Sequence, residues 1–582
     1  MPSNILTLHH DWQTHCSNIP DSSLPTIAHR LAIPWQTISC SRQSMRKSKK
    51  PKARQSLFSS KIRFYAPMAL ALLVLICSLW ALTREWDKPL LDLHSFRQTQ
   101  TAISAYYMVG NPSVFFDYIT PVLGKPWAIP LEMPFYQWIV ARWHELTGMG
   151  LDQSGKLVSA FFLLACLWPI GKLLKELVIP TPSRWLTASV FLSVPLHLYW
   201  GRAFLIETMG LFLSLSMAAC IFSGFRQKDW RCLVAGLAFG CAAALCKITT
   251  WAVACGVTGL LVLFSNGIPA RRDFLWLAAA AFAAVLPLVP GKLWLAYGDS
   301  VKSANPFARE IITASSAKQA AWNFGTWEQK TSPEVWQNIG RHIKDQLLAP
   351  VPILGHWLIP LLLVAGIAAS PRRIPQILIF LTGFAAGPLI FTNLYFEHNY
   401  YWVANSAWLL LALGVALAGI AECDSKARWP VPVATALCAI ICAAGFAAWH
   451  QKFLPIIQNL PTHEEFAEVW IEPIQKTVPP GKTLIILSQN WNPNAHYYAE
   501  RKGISFPTSD RIFAFDGQEL RDSLGLLSPE EKLGAVVING EYLSKENQPF
   551  FFRLLKDLGM QTNGYSSPFG IVFPAVDSTG SW

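Results

Sequence analysis

The chain has 582 residues, of which 52% are hydrophobic and only 14% are charged, whereas soluble domains carry about 25% charged residues. Its 25 tryptophans favour a bilayer interface, and apolar runs long enough to cross a membrane recur along it. This composition excludes an ordinary soluble enzyme. The formal net charge of +12 comes largely from a basic stretch at 46–63 and from short loops, so we expect no nucleic-acid partner.

The first 60 residues are polar and end in the basic run R-K-S-K-K-P-K-A-R at 46–54. Such a composition predicts a disordered cytoplasmic tail over 1–60. The alternative for residues 1–45 is a start codon assigned too far upstream. No cleavage signal follows the apolar run Tyr65–Leu82, so we interpret that run as a membrane anchor.

The next part of the chain, 61–450, is predicted to be a transmembrane domain with about eleven crossing helices on a window of roughly 20 residues. They lie near 65–83, 155–172, 185–201, 205–224, 231–246, 249–265, 272–295, 352–369, 374–394, 402–420 and 431–449. With the N-terminus in the cytoplasm, every short loop on that side carries at least two basic residues, in agreement with the positive-inside rule.

This orientation places two long loops, 84–153 and 299–350, on the outer face of the membrane. Within the first loop, Gln98–Val109 and Phe135–Leu146 have the pattern of short interfacial helices. In the second loop, apolar residues recur at helical spacing from Val335 to Leu347, which predicts a further surface helix.

After the last apolar run the chain becomes more polar, and helix-like and strand-like segments alternate over 451–582. Helices are predicted at Glu464–Lys476 and Asn494–Lys502, and strands at Lys482–Leu487, Ala535–Ile538 and Ile571–Phe573. The pattern predicts a small α/β domain on the outer side. No glycine-rich phosphate motif opens its helices.

The twelve cysteines lie in the N-terminal tail, in apolar runs, or in one short loop at Cys423. We therefore expect buried thiols rather than a disulfide framework. No C-x-x-C pair indicates a zinc site.

Candidate chemistry begins in the first loop, which opens with D-L-H-S-F-R-Q-T-Q-T-A at 92–102 and closes with P-L-E-M-P-F-Y-Q-W at 130–138. Its polar candidates are Asp92, His94, Arg97, Gln98, Lys125 and Glu132. In a functional interpretation Asp92 is a general base and Arg97 holds a phosphate. The alternatives are a surface ion pair or a helix cap formed by Asp92 or Ser95.

Further candidates lie where apolar spans meet the same face. Glu207 stands within G-R-A-F-L-I-E-T-M-G at 201–210, at a depth where ionisable residues usually have a function; a simple pair with Arg202 is the alternative. Lys247 either snorkels to the interface or serves a lipid phosphate. Glu397, His398 and Tyr400 close a later span, where tyrosine alone is ordinary interfacial composition.

In this order the motifs resemble those of the GT-C membrane glycosyltransferases, in particular protein O-mannosyltransferases and lipid A aminoarabinose transferases. The matching segments are Asp92–Gln98, Glu132–Tyr136, Arg202–Glu207, Lys247 and His398–Tyr401. The family's acidic pair aligns with Arg97 and Gln98, so Asp92 fills its role only if the loop shifts by about one turn, roughly 3.6 residues. Asp87, Asp117 and Glu132 are the alternatives for the base.

The resemblance implies an α-helical polytopic membrane protein of the GT-C type with a small C-terminal α/β domain. It implies an inverting glycosyltransferase of the bacterial inner membrane, which moves a sugar from a polyprenyl-phosphate carrier to a hydroxyl or phosphate of a glycan, lipid or protein acceptor. Some members of the family use a divalent metal, which leaves a metal requirement open.

The residues and the resemblance together make Asp92, Glu132 and Glu207 the catalytic candidates. The substrate-binding candidates are His94, Arg97, Gln98, Lys125, Arg202, Lys247, His398 and Tyr400. The competing interpretation is a transporter or flippase of lipid-linked sugars. It is less favoured because the chain shows no internal repeat, and its polar residues gather at one membrane face rather than at the midplane.

Overall fold

The structure is a computed structural model. It describes residues 53–111, 113–265, 270–347, 357–422, 430–487, 491–505, 518–540, 543–567 and 569–576. The described residues from Gln55 onward belong to one compact unit. Residues 1–52 of the predicted tail and the predicted loop cysteine Cys423 lie outside the described part.

Helices dominate the chain up to residue 448. They are α1 (Ala53–Thr83), α2 (Ser95–Tyr106), α3 (Phe135–Thr147), α4 (Leu151–Ala165), α5 (Leu167–Glu176), α6 (Thr181–Ser193), α7 (Pro195–Trp200), α8 (Glu207–Gln227), α9 (Trp230–Phe264), α10 (Phe274–Val285), α11 (Leu288–Ser303), α12 (Ala308–Ile311), α13 (Ala317–Phe324), α14 (Trp327–Thr331), α15 (Pro333–His342), α16 (Leu358–Ala369), α17 (Ile374–Ile390), α18 (Thr392–Glu397), α19 (Trp402–Glu422) and α20 (Pro430–Ala448). The interfacial helices predicted in the first loop correspond to α2 and α3, and the surface helix of the second loop to α15.

Within the described residues, eight helical segments are long and apolar enough to cross a membrane. They are Phe64–Thr83, Leu151–Glu176, Glu207–Gln227, Trp230–Phe264, Arg271–Ser303, Pro371–Ile390, Asn399–Glu422 and Pro430–Gln458. The protein is therefore a multi-pass membrane protein. Of the predicted span 352–369, residues 352–356 lie outside the described part, and Leu358–Ala369 forms the shorter apolar helix α16.

Two of the predicted spans, 231–246 and 249–265, occupy the single long element α9. The element is interrupted at Lys247, whose backbone is not helical (φ −155°, ψ 88°). On one side of it, a Cβ at Gly240 would meet Pro287; on the other side, Cys255 Sγ lies 3.3 Å from the carbonyl of Ala284. Pro287 and Ala284 are only three residues apart, so the parts of α9 before and after Lys247 contact the same region of the α10–α11 segment. The chain therefore reverses direction at Lys247.

The predicted span 185–201 is divided into α6 and α7. Pro195 is the cause, because it disfavours helical geometry at the residue before it. Val194 accordingly has extended backbone angles (φ −63°, ψ 129°), and α7 begins with the proline. This break turns the chain into the buried segment that leads to Arg202.

The C-terminal part contains short helices and one mixed sheet. The helices are α21 (Leu454–Gln458), α22 (His463–Phe466), α23 (Glu472–Thr477), α24 (Asn494–Ala499), α25 (Gln518–Gly525) and α26 (Gln548–Asp557). The strands are β1 (Thr483–Leu487), β2 (Gly503–Ser505), β3 (Leu533–Ile538), β4 (Tyr565–Ser567) and β5 (Gly570–Pro574). The predicted helix Asn494–Lys502 was too long by three residues, and β2 and β4 were not predicted.

The strands of this sheet lie in the order β2-β1-β3-β5-β4. β1 pairs parallel with β2 and β3, while β5 pairs antiparallel with β3 and β4. Both faces are buried. Ile485 and Val536 belong to the core that continues into the helical part, whereas Leu484 and Val537 face a second core formed with α23 and α24.

The first loop completes this sheet. Its residues 121–124 run antiparallel to β2, with Gly124 N–H donating to Gly503 O (3.1 Å) and Ser505 N–H to Val122 O (2.8 Å). An edge strand leaves a row of backbone groups unpaired, and here the loop covers that row. The sheet and the loop are therefore built together.

The nine cysteines that the structure describes are free thiols within the apolar helical segments. Five of them are buried, as predicted, and four are partly buried.

Candidate active site

The first charged pair of the site joins α2 to the segment that leads into α3. Arg97, in the first turn of α2, donates to Glu132 Oε2 at 2.9 Å. Gln137 of α3 donates to the other carboxylate oxygen at 3.0 Å, and Gln100, one turn after Arg97, accepts from its guanidinium. Burial opposes the charge of Arg97, but Glu132 outweighs it and raises the pKa of Arg97 above its ordinary value. Arg97 is therefore a fixed cation.

The second charged pair lies where α8 begins and α9 reverses. Glu207 accepts a hydrogen bond from Lys247, and their side chains are only 2% and 7% exposed. Gly210, one turn after Glu207, makes room for this contact, because a Cβ there would lie 3.1 Å from Lys247 Cβ. Ions buried to this degree are stable only when paired, so the pair holds the chain reversal against α8.

Tyr401 connects the two pairs. Lys247 Nζ lies 3.9 Å from the centre of its ring, and its hydroxyl is within electrostatic range of Glu207, Arg97 and Glu132. A cation over an aromatic face is stabilised by the ring electrons. The four charges therefore form one cluster, which we call the paired cluster: Arg97, Glu132, Glu207 and Lys247.

Several buried polar atoms around the paired cluster have no hydrogen-bond partner among the described residues. They are Gln100 Nε2, Gln137 Oε1, Glu207 Oε2 and His398 Nδ1. Buried polar groups normally find a partner. Donors and acceptors left open beside two cations are what a site for a polar, anionic molecule requires.

An aromatic wall borders the paired cluster. The His94 ring centre lies 5.0 Å from that of Tyr400 and 5.5 Å from that of His398, and His398 stacks on Tyr400 at 5.1 Å. Trp200 and Trp322 extend the wall on either side. Burial, and then the charges of His94, Lys247 and Arg97, lower the pKa of His398 to about 3, so its imidazole is neutral at physiological pH.

Asp92 stands in a different environment, although it is only two residues from His94. It accepts hydrogen bonds from Gln98 Nε2 and from the Tyr199 hydroxyl. Burial raises the pKa of its carboxyl above the ordinary value, and the charges of Arg202 and Lys156 offset this only in part. Among the described residues no cation lies within ion-pair distance of Asp92, so no ion pair offsets the effect of burial on its carboxyl.

The two cations near Asp92 are directed to the backbone. Arg202 donates to the carbonyls of Arg84 and Glu85, the latter at 2.7 Å. Lys156 donates to the carbonyls of Trp86 (3.0 Å) and Lys88 (2.5 Å). We call Asp92, Lys156 and Arg202 the backbone-anchored cluster, because its cations fix the turn that follows α1.

The structure places the other candidates as follows. Gln98 is buried and links Asp92 to the N–H of Phe204 (3.1 Å), so it supports the site from behind. Lys125 pairs with Glu531 of the C-terminal part. Of the alternative bases, Asp117 accepts from the Tyr297 hydroxyl, while Asp87 adds to the electrostatic environment of Lys156 and Arg202.

Two of the structural alternatives considered for these residues are wrong. Asp92 and Ser95 do not cap α2: the capping position is His94, in a left-handed conformation (φ 52°) and without a side-chain cap bond. Glu207 pairs with Lys247 rather than with Arg202. Sequence reasoning also overlooked Gln100, although its spacing of three from Arg97 on a helix predicts the contact.

The described residues contain no group of three or more His, Cys, Asp or Glu side chains placed to hold a metal ion.

Comparison with solved structures identifies the fold. ArnT from Cupriavidus metallidurans bound to undecaprenyl phosphate superposes with a TM-score of 0.56 at 14% identity, over 88% of this chain and 99% of that chain. Its apo state gives a TM-score of 0.55 at 13% identity, with the same shares covered. This chain has a GT-C fold.

A further match of lower similarity is the arabinofuranosyltransferase AftD from Mycobacteria, with a TM-score of 0.45 at 15% identity over 81% of this chain and 35% of that chain. No protein-family model and no curated protein matches the sequence. The GT-C fold with a C-terminal α/β part agrees with the architecture expected from the order of the motifs.

Proposed function

We propose that this protein is a glycosyltransferase that moves a sugar from a polyprenyl-phosphate carrier to a hydroxyl group of an acceptor. The observation that carries the proposal is the paired cluster within a GT-C fold. Two buried cations, Arg97 and Lys247, lie beside open hydrogen-bonding atoms and an aromatic wall. That ArnT is seen with undecaprenyl phosphate supports a lipid phosphate as the ligand.

In the proposed reaction the acceptor oxygen attacks C1 of the sugar while its proton passes to Asp92. The bond between C1 and the phosphate oxygen breaks on the opposite side, so the configuration at C1 inverts. The electron pair leaves with the polyprenyl phosphate. Arg97 and Lys247 stabilise the charge that develops there, as cations do for phosphate leaving groups.

The remaining residues have supporting roles in this proposal. Glu132 and Glu207 hold the two cations in place, since a buried cation without a partner is unstable. His94, His398 and Tyr400 line the space for the sugar ring, and the open His398 Nδ1 provides a hydrogen bond to one of its hydroxyls. Of the three catalytic candidates Asp92, Glu132 and Glu207, we assign Asp92 as the base because the other two are ion-paired with the cations.

The same proposal assigns the protein to the bacterial inner membrane, with the N-terminus in the cytoplasm and the C-terminal part outside. Basic residues in the short loops support this orientation. The acceptor is then a glycan, lipid or protein on the outer face. Transfer to a phosphate acceptor needs no base. Because we assign Asp92 as a base, we propose a hydroxyl acceptor rather than a phosphate acceptor.

The test is transfer of radiolabelled sugar in membranes, with a panel of polyprenyl-phosphate pentoses, hexoses and amino sugars as donors. We expect wild type to transfer from at least one donor, and Asp92→Asn to lose about 100-fold or more in kcat, as removal of a general base does. Glu472→Gln, which breaks only the exposed pair with Lys476, is the matched control and should transfer at the wild-type rate.

Full activity of Asp92→Asn would remove the assigned base. Absence of transfer with every donor, together with movement of labelled donor across proteoliposomes, would replace the transferase by the flippase interpretation.

A further inference from the structure

A short helix of the C-terminal part lies directly against the helix that carries Arg97. The side chain of Asn494, at the start of α24, contacts α2 at two positions on one face. Its amide nitrogen donates to Ser95 Oγ at 3.1 Å, and its amide oxygen accepts from Thr99 Oγ1 at 2.6 Å. Arg97 lies between these two contacts in the sequence, so Asn494 bridges the turn that presents it.

A second set of contacts from the same helix fixes its own position. Tyr497 and Tyr498 donate to the two oxygens of the Asp152 carboxylate, at 2.5 Å and 2.9 Å. Asp152 is 5% exposed and stands in the first turn of α4. Tyr498 also accepts from the N–H of Leu90 at 2.6 Å. The helix α24 is therefore attached to α4, to the turn before Asp92, and to α2.

An aromatic contact closes the same interface. The ring of Phe96, the neighbour of Arg97, meets the edge of Trp491 with the ring centres 5.0 Å apart. Behind α24, the pairing of 121–124 with β2 connects the sheet to the first loop. Each of these contacts crosses from the C-terminal part to the elements that build the candidate active site, so movement of one requires movement of the other.

We infer that Asn494 is a positioning residue for glycosyl transfer: it holds the first turn of α2 so that the guanidinium of Arg97 faces the leaving phosphate. The inference rests on the proposed function. It gives the C-terminal part a role within the reaction centre, where it acts through α2 rather than by touching the substrate.

Loss of the Asn494 side chain should disturb the position of α2 more than the stability of the fold. If Asn494 is replaced by Leu, the Thr99 hydroxyl still has the carbonyl of Ser95 as acceptor at 2.8 Å, so no buried donor is stranded. The fold should survive, while the first turn of α2 loses two side-chain hydrogen bonds that restrain its place. A shift of about 1 Å in a positioned group lowers a rate by as much as 100-fold.

The experiment compares full-length wild type, Asn494→Leu, Thr99→Val and the double variant in nanodiscs. The matched control is Thr477→Val, which breaks a hydrogen bond of 2.6 Å to Tyr565 within the C-terminal part without contacting α2. Two measurements are made on each: amide hydrogen exchange of residues 95–106, and transfer kinetics with the donor varied.

We expect exchange in the first turn of α2 to accelerate about tenfold in Asn494→Leu and to stay unchanged in the control. In that variant kcat should fall about 10- to 100-fold while the KM for the donor changes less than about twofold. The double variant should match the stronger single variant within about twofold, because both changes remove the same contact.

The inference is overturned if the amide exchange of α2 in Asn494→Leu equals that of wild type, or if Thr477→Val accelerates this exchange as much as Asn494→Leu does. It is also overturned if the loss of kcat in the double variant equals the product of the losses in the two single variants. The two proposals fail separately. Absence of transfer in wild type removes the proposed function, whereas the exchange measurement still decides whether Asn494 holds α2.

Discussion

The paired cluster and the backbone-anchored cluster contain the same kinds of residue but use their charges differently. In the paired cluster, Lys247 and Arg97 are held by carboxylates, and polar atoms beside them remain open. In the backbone-anchored cluster, Arg202 and Lys156 donate to main-chain carbonyls. Arg202 and Lys156 therefore have their donors occupied by the backbone and serve the fold, whereas the open polar atoms beside Arg97 and Lys247 leave room for a ligand.

The largest expected effect is on the paired cluster. Lys247→Met leaves Glu207 buried without a partner, which costs about 3–5 kcal/mol of unfolding free energy, and transfer should fall by more than about 100-fold. In Lys247→Met combined with Glu207→Leu, the stability should return because the unpaired charge is gone, whereas transfer should not. Urea unfolding in detergent and the transfer assay measure the two quantities. Recovery of transfer in the double variant would show that Lys247 serves the fold alone.

The matching change in the backbone-anchored cluster should mainly lower the free energy of unfolding. Arg202→Met removes the hydrogen bonds that Arg202 donates to the partly buried carbonyls of Arg84 and Glu85, which should lower the free energy of unfolding by about 1–3 kcal/mol in total. The KM for the polyprenyl-phosphate donor should stay within about twofold of wild type. A tenfold rise in that KM at unchanged stability would return Arg202 to the phosphate-binding role that the family resemblance implies, and would end the distinction between the clusters.

Transfer should depend on pH through the protonation of Asp92. Asp92 must be unprotonated to accept a proton, and burial raises its pKa. Activity should therefore fall about tenfold per unit as pH decreases through a value above the ordinary aspartate pKa of about 3.9. The residual activity of Asp92→Asn should lack this acid limb in a plot of kcat/KM against pH. An identical limb in both proteins would assign the titration to another group.

The smallest effect is expected for Lys125, which belongs to neither cluster. Its pair with Glu531 is partly exposed, at 28% and 19%, so Lys125→Met should cost at most about 1 kcal/mol. Burial would raise the pKa of Glu531, but Lys125 and the capping contacts at Ser528 outweigh it and lower that pKa to about 2. The stabilisation is therefore present above the ordinary glutamate pKa, near 4.3, and is lost as the pH falls towards 2.

Thermal unfolding of wild type and Lys125→Met at neutral and acidic pH measures this difference. If Lys125→Met lowered the free energy of unfolding more than Lys247→Met does, the order of effects expected from burial would be wrong.

The sequence by itself determined the membrane class, the apolar segments that form most of the long helices, and several of the charged residues that the fold brings together; it did not predict the contact of Gln100 with Arg97 or the pair of Lys125 with Glu531. A long apolar run has few stable structures other than a membrane helix. Isolated charged residues at the ends of such runs are easily recognised in the sequence. The span 185–201 was predicted as one helix, although Pro195 could have indicated its division, because the restriction that proline places on the preceding residue is local.

Only the tertiary structure decided which charge meets which. Glu207 selects Lys247, forty positions away, because the reversal of α9 and the missing side chain of Gly210 bring the two together. The strand β2 has three residues and is stable only through its neighbours on both sides. Asn494 reaches α2 across nearly 400 positions. Local pattern carries no information on such pairings, since they depend on how distant segments pack in space.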